Sequence, residues 1–250
     1  MLSREELQRE AATLGFTSWQ AERDYLQHLF LLFLSRKIDQ ELIFKGGTAL
    51  QKTFGLNRFS IDLDFTQQKE VPKETFMQIA KEITQFGFNT DLKEEPHKES
   101  LTIKVIIRGP LYRKTERTLT VLRIEISLRE EIVMQPETKE VFPLYPDLQP
   151  YLLKVMHHEE ILAEKIRTIF TRNKARDVFD LRFLLQKKTH LKKDLVGKKL
   201  LPYSVKYSRK ELLERIKNIE PLWEKELGQL VSTVPPFSKT FQDIEESIPK

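Results

Sequence analysis

The sequence contains no cysteine. Disulfides, thiolate nucleophiles and cysteine-bound zinc are therefore excluded together. Glycine is scarce, at 8 in 250 residues, and neither glycine-rich phosphate fingerprint occurs, G-x-x-x-x-G-K-[ST] or G-x-G-x-x-G. There is no internal repeat and no low-complexity tract. Long apolar runs are missing too: LFLLFL at 29–34 is far too short to span a bilayer. Residues 1–30 carry acidic side chains throughout and lack a signal-peptide pattern, so a cytoplasmic protein without membrane contact is expected. An excess of one charge is also nearly absent. The 42 basic and 37 acidic residues leave a net charge of +5, which permits a nucleic-acid partner without demanding one.

What is present is a chain long enough for one large domain or for a core with a helical appendage. Ser3 followed by Glu6 forms a capping-box pattern, with Gly15 as the stop of a first helix. A second helix is expected from Thr17 to about Lys37, with a broad apolar face through Tyr25, Leu29 and Phe33. Strands are expected at 41–45, 60–66, 100–108 and 117–128, and an amphipathic helix at 72–86. The proline-bearing segment 134–150 reads as an irregular linker. Beyond it, helices are expected at 157–172, 176–188, 208–219 and 220–231, with a loosely ordered end from Pro235 to Lys250. The expected division is a mixed α/β half over 1–150 and a helical half over 151–250.

The chemistry concentrates in residues 45–66, KGGTALQKTFGLNRFSIDLDFT. Period-2 geometry turns Ile61, Leu63 and Phe65 one way and Ser60, Asp62, Asp64 and Thr66 the other. Two like charges on one strand face repel each other and are costly to desolvate unless something positive sits between them. Their Cα atoms lie about 6–7 Å apart, which suits carboxylates sharing divalent cations such as Mg²⁺ or Mn²⁺. Glu125, alone among isoleucines on a later strand, is the natural third carboxylate of a two-metal site for displacement at phosphorus. A cross-strand pairing of Glu125 with Lys104 is the plainer reading. Gly46, Gly47 and Thr48 form a turn into a helix, where free N–H groups and close backbone approach suit a phosphate.

Read as one unit, the Gly-Gly turn, short helix and D-x-D strand resemble the nucleotidyltransferase fold of the DNA polymerase β superfamily. The longer string FKGGTAL…FGLNRFSIDLDF resembles the AbiEii/AbiGii toxin family of type IV toxin–antitoxin systems, with its MenT relatives. Lys45, Gly46, Gly47, Thr48, Leu50, Arg58, Ser60, Asp62 and Asp64 match that family's pattern in order. A second family pattern is matched by LAEKIRTIFTRNKARDVFDLRFLL at 162–185, through Lys165, Arg176, Asp177 and Asp180.

The resemblance implies an α+β protein, with a polymerase β-like core of mixed sheet flanked by helices and an α-helical C-terminal domain. It implies transfer of a nucleotide from an NTP to an RNA acceptor, the tRNA 3′ end in this family, with release of pyrophosphate and arrest of translation. Asp62, Asp64 and Glu125 would hold the metal. Lys45, Gly46, Gly47, Thr48, Arg58, Ser60 and Lys165 would bind the nucleotide. Lys165 and Asp177 join the carboxylates as catalytic residues, Lys165 countering charge on the leaving pyrophosphate. A separately encoded antitoxin is implied, and a monomer is expected. Without the family, Lys165, Arg176, Asp177 and Asp180 read equally well as an interhelical salt-bridge cluster. Transfer to a protein side chain, with Ser60 as one self-modification target, and a catalytically silent nucleic-acid-binding module remain alternatives.

Two further stretches stand out. HHEE at 157–160 reads as a helix N-terminal turn and not as a metal box. The run 187–210 holds nine Lys/Arg against the single acid Asp194, with Tyr203 and Tyr207 interleaved. It suits contact with an RNA backbone through Lys192, Lys193, Lys198 and Lys199, although a solvated surface is the bland reading.

Overall fold

The computed structural model describes residues 1–249; Lys250 lies outside the described residues. The chain divides into two compact units. The first comprises Met1–Thr53, Ser60–Ile132 and Pro136–Val155, and the second Phe54–Phe59, Val133–Gln135 and Met156–Lys250.

The first unit is built on a mixed seven-stranded sheet in the order β3-β4-β5-β2-β1-β7-β6. Its strands are β1 (Leu42–Lys45), β2 (Leu63–Gln67), β3 (Thr90–Pro96), β4 (Ser100–Ile107), β5 (Thr120–Ser127), β6 (Glu137–Val141) and β7 (Tyr151–Val155). β2 runs parallel to β5 and antiparallel to β1, while β1 runs parallel to β7. Helices α1 (Arg4–Leu14), α2 (Ser18–Ser35), α3 (Gly46–Ala49) and α4 (Lys73–Phe86) belong to this unit. The capping boxes Ser3–Glu6 and Thr17–Gln20 both form, and Gly15 closes α1 in the left-handed conformation. The core joins Tyr25, Leu29 and Phe30 of α2 with Ile79 and Ile83 of α4 and the apolar side of the sheet, Leu63, Phe65, Ile103, Leu122 and Ile124. Complete burial of that side leaves the opposite residues of the same strands as the polar ones.

The second unit is helical: α5 (His158–Thr171), α6 (Ala175–Gln186), α7 (Lys193–Leu200), α8 (Arg209–Lys217), α9 (Trp223–Leu227) and α10 (Phe237–Ser247). Trp223, fully buried, anchors it through Nε1–H to the Pro235 carbonyl at 2.7 Å and by edge packing on Phe237.

Several expectations are corrected. The segment 134–150 is not wholly irregular, because β6 forms by antiparallel pairing with β7. That pairing places β7 in the first unit, not the helical half. β3, TDLKEEP, is too charged to read as a strand; its ladder with β4 makes it one. α7 forms inside the basic run, and the segment expected to be loose folds as α10, with Thr240 and Ile244 buried. The 60–66 strand begins only at Leu63, so Asp62 stands just ahead of the ladder. Among the described residues, no helix is long and apolar enough to cross a membrane.

Candidate active site

The register across the first unit explains why two carboxylates sit on a strand. Lys45 pairs with Asp64 across β1–β2, Asp64 with Glu125 across β2–β5, and Glu125 with Thr102 across β4–β5. Paired residues on neighbouring strands point the same way, so these four side chains form one polar row. Asp64 and Glu125 are in-register neighbours on parallel strands, their backbones roughly 4.8 Å apart. Both are half-buried, as is Asp62.

The glycine corner is built against this row. Gly46 has φ +74°, and a Cβ there would stand 2.4 Å from Asp64 Oδ2 and 3.0 Å from Asp64 Cβ. Only glycine lets the turn after β1 close on the aspartate. The helix it opens is short: α3 covers Gly46–Ala49 and continues as a π-turn over Leu50–Phe54.

Neighbouring side chains orient the acids. Glu125 accepts from Thr102 Oγ1 at 2.9 Å and from Arg123 Nε. Lys104, the partner in the alternative reading of Glu125, is instead paired with Glu95 at 2.6 Å, because the register places it opposite Arg123 and Lys93. Arg23 and Arg123 both stand near enough to Asp62 to feel its charge: burial lowers Arg23 while Asp62 opposes it, and Arg123 is raised chiefly by Glu125 with Asp62 adding to it. They supply the positive charge that a pair of carboxylates requires. Arg23 is anchored by donating from Nη1 to the Val121 carbonyl at 2.8 Å.

Three residues expected at a nucleotide have internal partners. The Lys45 ammonium is bonded to Glu130, each side chain 9% exposed. Thr48 is buried; its Oγ1 donates to the Asp62 carbonyl and lies 2.8 Å from Ser60 Oγ. Ser60 is itself buried, which removes it as a presented self-modification target. Gly47 is buried in the turn.

Arg58, Lys165, Asp177 and Asp180 lie in the second unit and are brought together there. Arg58 holds Asp180 bidentately, Nε to Oδ1 at 2.6 Å and Nη2 to Oδ2 at 2.7 Å. Lys165 Nζ reaches Asp180 Oδ2 at 2.7 Å and Asp177 Oδ1 at 3.1 Å, and Arg172 Nε donates to Asp177 Oδ2 at 2.8 Å. Burial alone would push both carboxyls up, but the facing cations hold them below the usual range: Lys165 then Arg172 for Asp177, Arg58 then Lys165 for Asp180. The interhelical cluster reading thus holds for Lys165, Asp177 and Asp180, with Arg58 and not Arg176 as the further partner of Asp180.

The basic run divides. Lys192, Lys193 and Lys198 are exposed and line a cavity of about 350 Å³ with Val133, Met134 and Leu195. Lys199 is corrected out of the set: it turns inward to Glu160 at 2.5 Å and Glu164 at 3.3 Å, with 5% of its side chain exposed. It lies one residue beyond Lys198, about 100° round the helix, on the apolar side with Leu195 and Val196. His157 caps α5, its Nδ1 accepting from the Glu159 N–H, as the N-terminal-turn reading expects.

Sequence reasoning missed the residues that hold this arrangement. Asp24 and Lys52 form a buried ion pair at 2.9 Å, joined by Tyr145 and by His28, whose Nδ1 lies 2.8 Å from the Tyr151 hydroxyl. Asp24, Gln27 and His28 interrupting an otherwise apolar helix were the available signal. Glu130 carried none.

A mixed sheet carrying Asp64 beside Glu125, with Asp62 just ahead of its strand and a glycine turn closed on Asp64, is the frame of a nucleotidyltransferase-type core. The family pattern described as "Nucleotidyl transferase AbiEii toxin, Type IV TA system" matches residues 32–247, and the chain belongs to that family. It is thus an NTP-dependent nucleotidyltransferase of the toxin side of type IV toxin–antitoxin systems, which implies a separate antitoxin. The fold resembles that of the MenT4 nucleotidyltransferase toxin of Mycobacterium tuberculosis H37Rv, with TM-score 0.70 and 22% identity over 99% of this chain and 88% of that one. It also resembles JHP933 from Helicobacter pylori, with TM-score 0.64 and 21% identity over 92% of this chain and 90% of that one. No curated protein sequence matches the chain.

Proposed function

We propose that the chain transfers a nucleotide from an NTP to an RNA 3′ end, that of tRNA, in a reaction dependent on Mg²⁺ or Mn²⁺. The observation that supports this most directly is the row in which Asp64 faces Glu125 while Gly46 is pressed against Asp64. The donor set fits a hard divalent cation, since it is all oxygen, anionic and half-buried. Asp62, Asp64 and Glu125 would hold the ion, which when bound neutralises the triphosphate and favours in-line displacement at phosphorus.

This chain's own residues do the rest. Gly46 has no Cβ, so the turn after β1 can close on Asp64 and hold it beside Glu125. Glu125, oriented by Thr102 and Arg123, takes the proton of the acceptor hydroxyl. The new bond forms between that oxygen and the α-phosphorus, the bond to pyrophosphate breaks, and negative charge grows on the leaving group. Lys165, its ammonium shared between Asp177 and Asp180, acts within the second unit as the cation of a buried cluster, as Arg58 does. Lys192, Lys193 and Lys198 offer an exposed cationic surface suited to an RNA backbone. Lys45, Thr48, Ser60 and Arg58 act by shaping the site, since their polar atoms are engaged within the protein.

The test is incubation with each labelled NTP, Mg²⁺ or Mn²⁺, and total tRNA. Label should appear on RNA with the wild type and vanish with Asp62→Ala. Label on protein instead would move the acceptor to a side chain, and no label from folded protein would reduce the chain to a binding module.

A further inference from the structure

We infer that Gln27 and Gln51 are positioning residues that fix where the Asp62 carboxylate stands; this rests on the reading of Asp62 as a metal-holding residue. Asp64 and Glu125 are placed by the sheet ladder, but Asp62 is not, because β2 begins at Leu63. The backbone groups of residues 60–62 must find partners elsewhere or be buried at a cost. Side chains supply them. Gln27 Nε2 donates to the Ser60 carbonyl at 3.2 Å and to the Ile61 carbonyl at 2.8 Å. Gln51 Oε1 accepts from the Ser60 N–H at 3.0 Å, and Thr48 Oγ1 donates to the Asp62 carbonyl. Consecutive peptide groups leading to Asp62 are thus gripped from α2 and from the π-turn.

Neither glutamine is explained by packing. Gln27 is fully buried on α2, where leucine or methionine would fill the space without a polar atom to satisfy. Its Oε1 has no hydrogen-bond partner, so the side chain is there for its two N–H bonds. Gln51 is oriented in turn: its Nε2 donates to Asp24 Oδ1 at 3.4 Å, the same oxygen that takes Lys52 Nζ at 2.9 Å. The buried Asp24–Lys52 pair therefore sets Gln51, and Gln51 with Gln27 sets the approach to β2. If either amide is removed, the 60–62 segment shifts to find new partners. Asp62 then moves while Asp64 and Glu125 stay in the ladder. The spacing between the acids changes, and with it their joint grip on a divalent ion.

The experiment compares the full-length wild type with Gln27→Met, Gln27→Glu, Gln51→Met and Asp62→Asn. Mn²⁺ binding is read by electron paramagnetic resonance without nucleotide, incorporation is measured against Mn²⁺ concentration, and melting is followed by circular dichroism. The glutamine variants should bind Mn²⁺ about tenfold or more weakly, the range seen when the residues supporting metal ligands are removed. Their kcat should fall in parallel and recover in part as Mn²⁺ is raised, while KM for the NTP changes little. A lowered melting temperature with wild-type Mn²⁺ affinity would show packing alone and overturn the inference. Gln51→Met and the near-isosteric Gln27→Glu carry the test if Gln27→Met does not fold. Wild-type Mn²⁺ binding in Asp62→Asn is a different failure: it removes the metal role of Asp62 itself, and the positioning role falls with it.

Discussion

Gly46→Ala separates backbone strain from site geometry, because the chain contains its own control. Gly46 and Gly55 have nearly the same positive φ, +74° and +79°. Alanine at either position carries the left-handed penalty of about 1–2 kcal/mol. The surroundings differ. A Cβ at Gly55 meets nothing within 4 Å, whereas one at Gly46 lies 2.4 Å from Asp64 Oδ2, roughly 1 Å short of an ordinary non-bonded contact. The Asp64 carboxylate is the part able to give way. Moving a group that positions reactants by roughly 1 Å costs about a hundredfold in rate. Both variants should therefore lose similar stability in urea titrations followed by circular dichroism. Nucleotide incorporation should fall about a hundredfold in Gly46→Ala and stay near wild type in Gly55→Ala. Equal kcat/KM in the two would refute the claim that Gly46 is there to admit Asp64.

Other outcomes follow from the charge clusters. Asp180→Asn leaves Arg58 and Lys165 buried beside a neutral amide, and should destabilise the helical unit by about 3–5 kcal/mol in denaturant unfolding. His28 is pushed down to about 3, chiefly by burial and then by Lys52, with Asp24 opposing. Its folded value lies below the unfolded one, so its stability contribution is complete above about pH 6.5 and is lost as pH falls towards 3. Between pH 7.5 and 5 the loss should be about 2 kcal/mol, and His28→Gln should flatten that slope. Replacing Lys192, Lys193 and Lys198 together by Gln should weaken RNA binding and reduce its log–log salt slope by about 2, read by fluorescence anisotropy. Lys199→Gln should instead lower the melting temperature, leaving Glu160 and Glu164 buried without their cation.

The sequence by itself determined the local order of this protein. A capping box at Ser3 and a helix start at Thr17 placed the first helices, alternation in 117–128 announced β5, and the KGGT…SIDLD string marked the acids and the turn beside them. These signals are legible because they act over a few residues, through cap hydrogen bonds, side-chain alternation and glycine's freedom at positive φ. Only the tertiary structure decided what depends on partners distant in the chain. β3 and β6 exist because neighbouring strands complete their ladders, and α10 is ordered by burial of residues spaced along one face. Glu125 became the neighbour of Asp64 through the parallel β2–β5 register, which no spacing within the sequence encodes. Lys199 looked like its neighbour Lys198 until helix rotation turned one inward to two glutamates and left the other in solvent. Gln27 and Gln51 were silent for the same reason: what they hold is backbone, and backbone carries no residue type to read.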